Sequence, residues 1–229
     1  PMMLNISQRK TVKHWATGLF AWLVALILFF PILWMIMTSF KTELQAISQP
    51  PLLFWETTFD NYILIQERSD YLKYAFNSLY TSVGGTLLAL IIAVPSAYAM
   101  AFFPGKYTKD ILLWMLSTKM LPAVGVLIPI YMITQMGGLL DSIYPLILIF
   151  ALMNLPIIMW MLFTYFKEIP KEILEAARMD GATTRDELRH IVMPLSWGGI
   201  ASAGLLSLIL CWNEAFWSIQ LTASDAGTL

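Results

Sequence analysis

The amino-acid sequence predicts an all-α fold, a polytopic bundle of transmembrane helices, from its composition and from the spacing of its charges. Of its 229 residues, 58% are hydrophobic and only 13% are charged, and the mean hydropathy is +0.67. A soluble domain averages roughly 45–50% apolar and about 25% charged residues, so this chain has too little charge to cover a water-exposed surface. The single cysteine excludes a disulfide scaffold, and the net charge of −1 argues against a nucleic-acid binder.

Long neutral runs between the charge clusters decide between helices and a barrel. A helix needs about 20 apolar residues to cross a bilayer, whereas a barrel strand needs about 9–11 residues that alternate strictly. The runs are too long and too uniformly apolar for strands, and they predict spans at residues 15–37, 76–103, 111–136, 143–166 and 196–219. The first run is too long for the apolar region of a signal peptide, so we predict a retained helix.

Lysine and arginine residues predict the orientation of these spans, because they concentrate in short cytoplasmic connections. They cluster on one side of the membrane, at Arg9, Lys10, Lys13, Lys106, Lys109, Lys167, Lys171, Arg178, Arg185 and Arg189. We therefore place the N-terminus (1–14) and the segment 167–195 in the cytoplasm. Residues 38–75 are predicted to form a long external loop, and residues 220–229 an external segment.

Two patterns inside the spans concern packing and shape. Gly85, Ala89, Ala93, Ala97 and Ala101 recur every four residues, and such a stripe of small side chains predicts a face for close helix packing rather than a chemical site. Prolines also recur within the spans, and kinked or broken helices suit a protein that lines a pathway. The alternative is that proline is simply common in membrane helices.

Lys119 is the ionisable residue that lies deepest in a predicted span. A lysine near the bilayer centre costs roughly 2.5–3.5 kcal/mol to insert, so it is expected to face protein or water. It is a candidate to line a substrate pathway. The alternatives are a lysine that reaches to the interface, or a structural partner for Glu214.

Asn154 and the pair Asn213–Glu214, flanked by Trp212 and Trp217, are further pathway candidates. Aromatic faces beside amide and carboxylate groups suit the hydroxyls of a sugar, whereas the alternative for each tryptophan is an interfacial aromatic belt. No pattern supports catalysis or a metal site. Gly105-Lys106 lacks the upstream glycine of a phosphate-binding loop, and two histidines with one cysteine form no ligand cluster.

The cytoplasmic segment predicts two short amphipathic helices joined by a glycine turn. Pro170 suits a first helical turn, and Gly181 is a natural C-terminal stop. Thr184 and Glu187 match a capping box that would open the second helix, which would end at Pro194. Each helix has an apolar stripe to bury. The balanced charge favours a cytoplasmic protein over lipid headgroups as its partner.

At these residues the sequence resembles the membrane subunits of binding-protein-dependent ABC importers. Their motif is E-A-A, three residues, G, nine residues and I-x-L-P. It corresponds to Glu175-Ala176-Ala177, Gly181, Ile191 and Met193-Pro194, where only Met193 departs by replacing leucine. The core at 76–219 resembles this family, and the first helix and long outer loop are similar to its maltose-type carbohydrate branch. The stretches 117–122 and 212–217 also look like the sugar and polyol branch.

The resemblance implies a subunit of a type I importer in the bacterial inner membrane, coupled to separate ATPases. Its partners would be a second membrane permease subunit, two cytoplasmic ATPase subunits that bind ATP and Mg²⁺, and an external solute-binding protein that delivers a sugar, polyol or derivative. This chain would bind no cofactor itself. The implied coupling residues are Glu175, Ala176, Ala177, Asp180, Gly181, Ile191 and Pro194.

Six helices are usual in that branch, so we expect a sixth helix beyond Leu229. Three rival functions stay open on the sequence. The first is an importer subunit for a solute other than a sugar, such as an amino acid or phosphonate. The second is a secondary transporter or channel that uses Lys119 and Glu214 as a coupling pair, and the third is a purely structural membrane scaffold.

Overall fold

The computed structural model describes residues 6–229, with side chains from Lys13 onward. The predicted all-α membrane fold is confirmed. In this described part of the chain, three helices are long and apolar enough to cross a membrane, or up to five if each of two bent helix pairs is one span. The helices are α1 (Ile6–Ser39), α2 (Glu43–Ala46), α3 (Asp60–Arg68), α4 (Tyr71–Phe102), α5 (Thr108–Thr118), α6 (Ala123–Met136), α7 (Ile143–Lys167), α8 (Lys171–Met179), α9 (Thr184–Asp186), a π-helix (Glu187–Val192), α10 (Met193–Leu195), α11 (Trp197–Trp212) and α12 (Phe216–Leu221).

The chain divides into two units, residues 1–70 and 71–229. In the first, α1 carries exposed apolar side chains from Trp15 to Ile36, as a lipid-facing helix would. The basic side chains of Arg9 and Lys10, on which the predicted orientation partly rests, lie outside the described residues. The cytoplasmic position of the N-terminus stays a prediction.

The predicted external loop contains helices α2 and α3 and is organised around Lys41. This side chain is only 2% exposed. Its Nζ lies 4.7 Å from the ring centroid of Trp34 and 4.4 Å from that of Trp55, and it donates a hydrogen bond to the Leu52 carbonyl. The two indole faces and the carbonyl stabilise a buried cation. These contacts connect Lys41, at the start of the loop, to Leu52 and Trp55 near its middle.

In the second unit, α4 packs along α7 through the predicted stripe of small residues. Ala89, Ala93 and Ala97 have no exposed surface. A Cβ atom added at Gly85 would lie 2.8 Å from the Cβ of Phe150, so the two backbones approach more closely than any side chain at this position allows. The stripe is therefore the packing face that the sequence predicted. Helix α11 completes a three-helix core with α4 and α7.

The third predicted span is not one helix, which corrects the prediction for 111–136. It is broken after Thr118, and α5 and α6 meet at 89°. Pro122 explains the break, because proline cannot donate the helical hydrogen bond and its ring disfavours helical backbone at Leu121. Pro122 has extended backbone, with φ −61° and ψ 130°, and α6 begins directly after it.

The fifth predicted span, 196–219, is also interrupted. Helix α11 ends at Trp212, and the short helix α12 begins at Phe216. The carboxylate of Glu214 accepts a hydrogen bond from the backbone N–H of Trp217 at 3.0 Å, which satisfies a free donor in the first turn of α12. At its other end, α11 is bent by 77° from the segment Thr184–Leu195.

A C-terminal strap, residues 222–229, is tied to the loop between α6 and α7. The carboxylate of Asp141 accepts hydrogen bonds from the N–H groups of Ala226 at 2.9 Å, Ala223 at 2.8 Å and Asp225 at 3.0 Å. These donors hold the pKa of Asp141 below its ordinary value, because they favour the charged form. Asn77 on α4 donates to the strap as well, to the carbonyl of Gly227 at 2.9 Å.

Candidate coupling loop and solute pathway

Helix α8 is the short amphipathic helix that the sequence predicted after Pro170. One face is anchored, since Leu174 is 2% exposed and belongs to the same hydrophobic core as α4 and α7. The other face is open. Glu175 and Ala176 are exposed, Ala177 is half-buried, and Met179 is 88% exposed. The helix therefore presents a mixed apolar and acidic surface beside a buried anchor.

Gly181 ends α8 in the manner that the sequence predicted. Its φ is +87°, a left-handed conformation that glycine adopts without a steric penalty. The N–H of Ala182 donates to the carbonyl of Ala177 at 2.9 Å, and the N–H of Gly181 donates to that of Arg178 at 3.0 Å. These two bonds form a Schellman motif, which satisfies the last carbonyls of the helix. Asp180, at the C-cap, is exposed.

The capping box of the second helix lies one residue earlier than predicted. Thr183 and Asp186 form it instead of Thr184 and Glu187: the Thr183 N–H donates to the Asp186 carboxylate at 3.0 Å, and the Asp186 N–H donates to the Thr183 hydroxyl. Both residue pairs match the spacing of a capping box. The carboxylate of Glu187 is not available as a cap because it points inward, and its side chain is 2% exposed.

Three side chains meet at this buried carboxylate, and we call Tyr98, Arg178 and Glu187 the Glu187 junction. Arg178, in the last turn of α8, donates from Nε to Oε1 at 2.6 Å and from Nη2 to Oε2 at 3.0 Å. Tyr98, on α4, donates its hydroxyl to Oε2 at 2.6 Å. The Arg178 guanidinium also lies 5.2 Å from the ring centroid of Phe103. Its carboxylate partner raises the pKa of Arg178 above the ordinary arginine value.

This junction was not predicted from the sequence. Tyr98, Arg178 and Glu187 are separated by up to 89 positions along the chain, and no local pattern connects them. The one local signal is a carboxylate that directly precedes the apolar residues Leu188, Ile191 and Val192. After it, Glu187–Val192 forms a π-helix, in which Val192 is fully buried and Ile191 half-buried, while Pro194 beyond it is exposed.

Lys119 lies at the break between α5 and α6, where it lines a cavity of about 220 Å³. Trp217 on α12 lines the same cavity. Its side chain is 2% exposed, yet its indole Nε1–H has no hydrogen-bond partner within residues 13–229. An unpaired buried donor next to a cavity is typical of a site that water or a ligand completes. The remaining lining residues are Thr118, Leu121, Ala123, Val126, Leu152 and Met153.

The other pathway candidates are dispersed. Asn154 is 5% exposed, and its amide donates to the Cys211 thiol at 3.1 Å within a polar contact between α7 and α11. Trp212 and Asn213 are exposed at the end of α11, and Glu214 is half-buried. Within the described residues no ion pair joins Lys119 to Glu214, whose carboxylate binds the Trp217 N–H instead. The structure thus brings Lys119 to Trp217 and leaves Asn154 in the core.

In the described part of the chain, no three His, Cys, Asp or Glu side chains come together as a metal site requires. The arrangement contains two separate features. One is the exposed amphipathic helix α8, which is anchored to the core, and the other is a small, mostly apolar cavity at a helix break, with Thr118 and Lys119 among its lining residues. Neither has the nucleophile and base that acyl or phosphoryl chemistry needs.

Comparison with known proteins identifies the family. A family profile described as the binding-protein-dependent transport system inner membrane component matches residues 85–229. The chain is 31% identical over 188 residues to the diacetylchitobiose uptake system permease protein DasC of Streptomyces coelicolor, covering 82% of this chain and 68% of that protein. It is 31% identical over 198 residues to the trehalose transport system permease protein SugB of Mycobacterium tuberculosis, covering 86% and 71%.

A solved structure has the same fold. It is that of a bacterial ABC transporter involved in the import of the acidic polysaccharide alginate, and it superposes with a TM-score of 0.75 at 25% identity, covering 99% of this chain and 79% of the other. The matched stretch contains the E-A-A and Gly181 motif, the Glu187 junction and the break at Lys119. This chain belongs to the family of binding-protein-dependent transport system inner membrane components, the membrane permease subunits of ABC importers.

Proposed function

We propose that this chain carries a sugar, a polyol or a sugar derivative across the bacterial inner membrane, as one permease subunit of an ATP-driven importer. The observation that carries the proposal is helix α8, which is exposed on one face and fixed to the membrane core on the other. A helix so placed can receive a force from a cytoplasmic partner. Relatives named for diacetylchitobiose and trehalose support the choice of solute class.

Energy for transport would come from separate ATPase subunits that dock on α8. Ala176 and Met179 offer apolar surface, and the carboxylate of Glu175 offers a partner for a basic side chain. Gly181 would set the angle at which α8 meets the following segment. ATP and Mg²⁺ would bind to the ATPases, and this chain would supply no cofactor site.

The solute would pass near the cavity at the α5–α6 break. Lys119 can donate to a hydroxyl, and the unpaired indole N–H of Trp217 offers a second donor. Polar donors beside an aromatic ring suit a carbohydrate, because its hydroxyls accept hydrogen bonds while its C–H faces contact the ring. The cavity of about 220 Å³ is smaller than most ligand sites. A second membrane subunit would supply the rest of the path.

Reconstitution tests the proposal. The chain is inserted in proteoliposomes with its partner permease and ATPases, and uptake of radiolabelled trehalose and diacetylchitobiose is measured with the cognate binding protein outside. We expect uptake that requires ATP inside and the binding protein outside, and that survives an uncoupler. Uptake that needs an ion gradient and continues without ATP would instead support a secondary transporter.

The solute itself is best identified on the binding protein. Its unfolding temperature is measured against a panel of mono- and disaccharides, polyols, amino acids and phosphonates. A ligand present at 100 times its dissociation constant stabilises the binding protein by about 2.7 kcal/mol. We expect the carbohydrate part of the panel to raise the unfolding temperature. Stabilisation by an amino acid or phosphonate alone would still support an importer, but it would contradict a sugar as the solute.

A further inference from the structure

The Glu187 junction connects three parts of the chain that a coupling mechanism has to keep together. Arg178 belongs to α8, Glu187 begins the π-helix that leads back to the membrane, and Tyr98 belongs to α4 of the packed core. Five oxygen and nitrogen atoms take part in its three hydrogen bonds, which are between 2.6 and 3.0 Å long. One carboxylate therefore joins the docking helix to the core.

The geometry makes this connection stiff. The guanidinium is planar and binds both carboxylate oxygens at once, so rotation of α8 about its axis breaks at least one bond. The Arg178 side chain is 43% exposed and Glu187 is 2% exposed, so the network reaches from solvent into the core. Tyr98 is fixed as well, since it is 3% exposed and its ring contacts those of Phe102 and Phe103.

Stability alone does not explain the choice of residues. Leu174, Ile169 and Val192 already bury apolar surface beneath α8, and buried ion pairs contribute little net stability compared with apolar residues. A charged, bidentate contact fixes the orientation of α8, which apolar packing restricts only weakly. Orientation is what a helix that transmits motion requires.

We propose that Glu187 is a positioning residue for energy coupling, which holds α8 and α4 in one rigid body through Arg178 and Tyr98. The proposal rests on the function proposed above. Without the junction, α8 keeps its buried anchor and its exposed face, so the ATPase still binds. Movement of the ATPase then turns α8 without moving α4, and ATP is hydrolysed independently of the binding protein.

The test uses the assembled complex in proteoliposomes and measures ATP hydrolysis with and without the cognate binding protein. The variants are Glu187→Gln, which removes the charge at constant shape, and Tyr98→Phe, which removes one hydroxyl. Arg178→Lys keeps the charge and loses the fork. The matched control is Asp186→Asn, a neighbouring carboxylate that contacts Thr183 and His190 in its own segment instead of side chains of α4 or α8.

We expect Glu187→Gln to lower the stimulation by the binding protein about 2- to 30-fold, the range seen for residues in coupling networks. Tyr98→Phe and Arg178→Lys are expected to lower it less, and basal hydrolysis and the KM for ATP are expected to stay unchanged in all three. Asp186→Asn is expected to match the wild type.

Two results would overturn the inference. One is full stimulation in both Glu187→Gln and Tyr98→Phe. The other is an equal loss of basal and stimulated hydrolysis, or of complex assembly, in Tyr98→Phe, since that pattern indicates a purely structural role. A wild-type complex that the binding protein fails to stimulate would reject the proposed function itself, which separates the two failures.

Discussion

The helical core contains two kinds of transmembrane element, continuous helices and helices interrupted by a break. Helices α4 and α7 are continuous and pack through a stripe of small residues. Nearly half of the residues in the most apolar stretch of each helix are buried. The pair α5–α6 is broken at 89°, and α11 is followed by a separate short helix. Pro95 and Pro156 lie inside the continuous helices and Pro129 lies inside α6, whereas Pro122 stands at the break between α5 and α6.

The continuous helices α4 and α7 form a rigid scaffold, which we call the frame, whereas the broken helices line the proposed solute pathway. Close packing at every fourth residue leaves α4 and α7 little room to move against each other. The breaks place Lys119 and Glu214 at helix ends, where polar groups are needed in any case. The junction at Glu187 and the contacts of Asp141 lie at opposite ends of the frame. Four substitutions test this division, ordered by the expected effect on the folded molecule.

Gly85→Ala should destabilise the frame most. The added Cβ would lie 2.8 Å from the Cβ of Phe150 and 3.4 Å from the carbonyl oxygen of Ile147, so the helices have to separate. Overpacking of this kind costs about 1–3 kcal/mol. We expect a lower unfolding temperature of the detergent-solubilised complex. The control is Gly125→Ala on α6, where an added Cβ has no atom within 4 Å; an equal decrease in both would contradict the division.

Gly181→Val should strain the end of α8. Left-handed backbone costs an L-residue about 1–2 kcal/mol, and β-branching adds to it. We expect the protein to insert normally and to lose most binding-protein-stimulated ATP hydrolysis. Gly181→Asn, which tolerates this conformation better, should retain more of it. Wild-type stimulation in Gly181→Val would count against α8 as the coupling helix.

Asp141→Asn should loosen the C-terminal strap and leave the frame intact. The variant loses the charge that strengthens the bonds to the strap, worth about 1.5 kcal/mol or more, so amide exchange across 222–229 should rise about tenfold. Mass spectrometry of deuterium exchange measures this. Because the folded-state pKa is lowered, the stabilisation is present above the unfolded value of about 3.9 and is lost as the pH falls through the lower folded value. Unchanged exchange at pH 7 would show that other contacts hold the strap.

Lys119→Met should change the stability least and the solute kinetics most. The side chain is exposed to the cavity beside Trp217, so its removal breaks no bond within the fold that positions α5 or α6. Loss of one charged donor is expected to raise the KM for solute about tenfold. Uptake at several solute concentrations gives the KM, and membrane insertion is checked by protein level. Unchanged kinetics would favour a lysine that only reaches to the interface.

Most of the frame could be predicted from the sequence because its signals are local. The neutral runs locate α1, α4 and α7 to within a few residues, apart from the start of α1, and the spacing of Gly85 to Ala101 identifies the packing face. Gly181 marks the end of α8 for the same reason. Each of these features depends on backbone or bilayer geometry acting over a few residues.

The breaks and the junction could not be predicted in the same way. Pro122 breaks its span whereas Pro95 does not, and the difference depends on neighbouring helices that can cover the freed backbone groups. Thr183 and Thr184 both fit a capping box, and the choice is made by Glu187, which is drawn inward by two residues on other helices. Long-range partners of this type leave no periodicity in the sequence.

The π-helix at Glu187–Val192 allows the segment that follows the Glu187 junction to become longer. A π-turn contains one more residue than an α-turn, whose residues each advance the axis by about 1.5 Å and turn it by about 100°. Conversion of the π-turn to α-helix would release the extra residue, lengthen the segment by about 1.5 Å and rotate the part of the chain that leads to α11 by about 100°. The connection between α8 and α11 can therefore change its length by the rise of one residue.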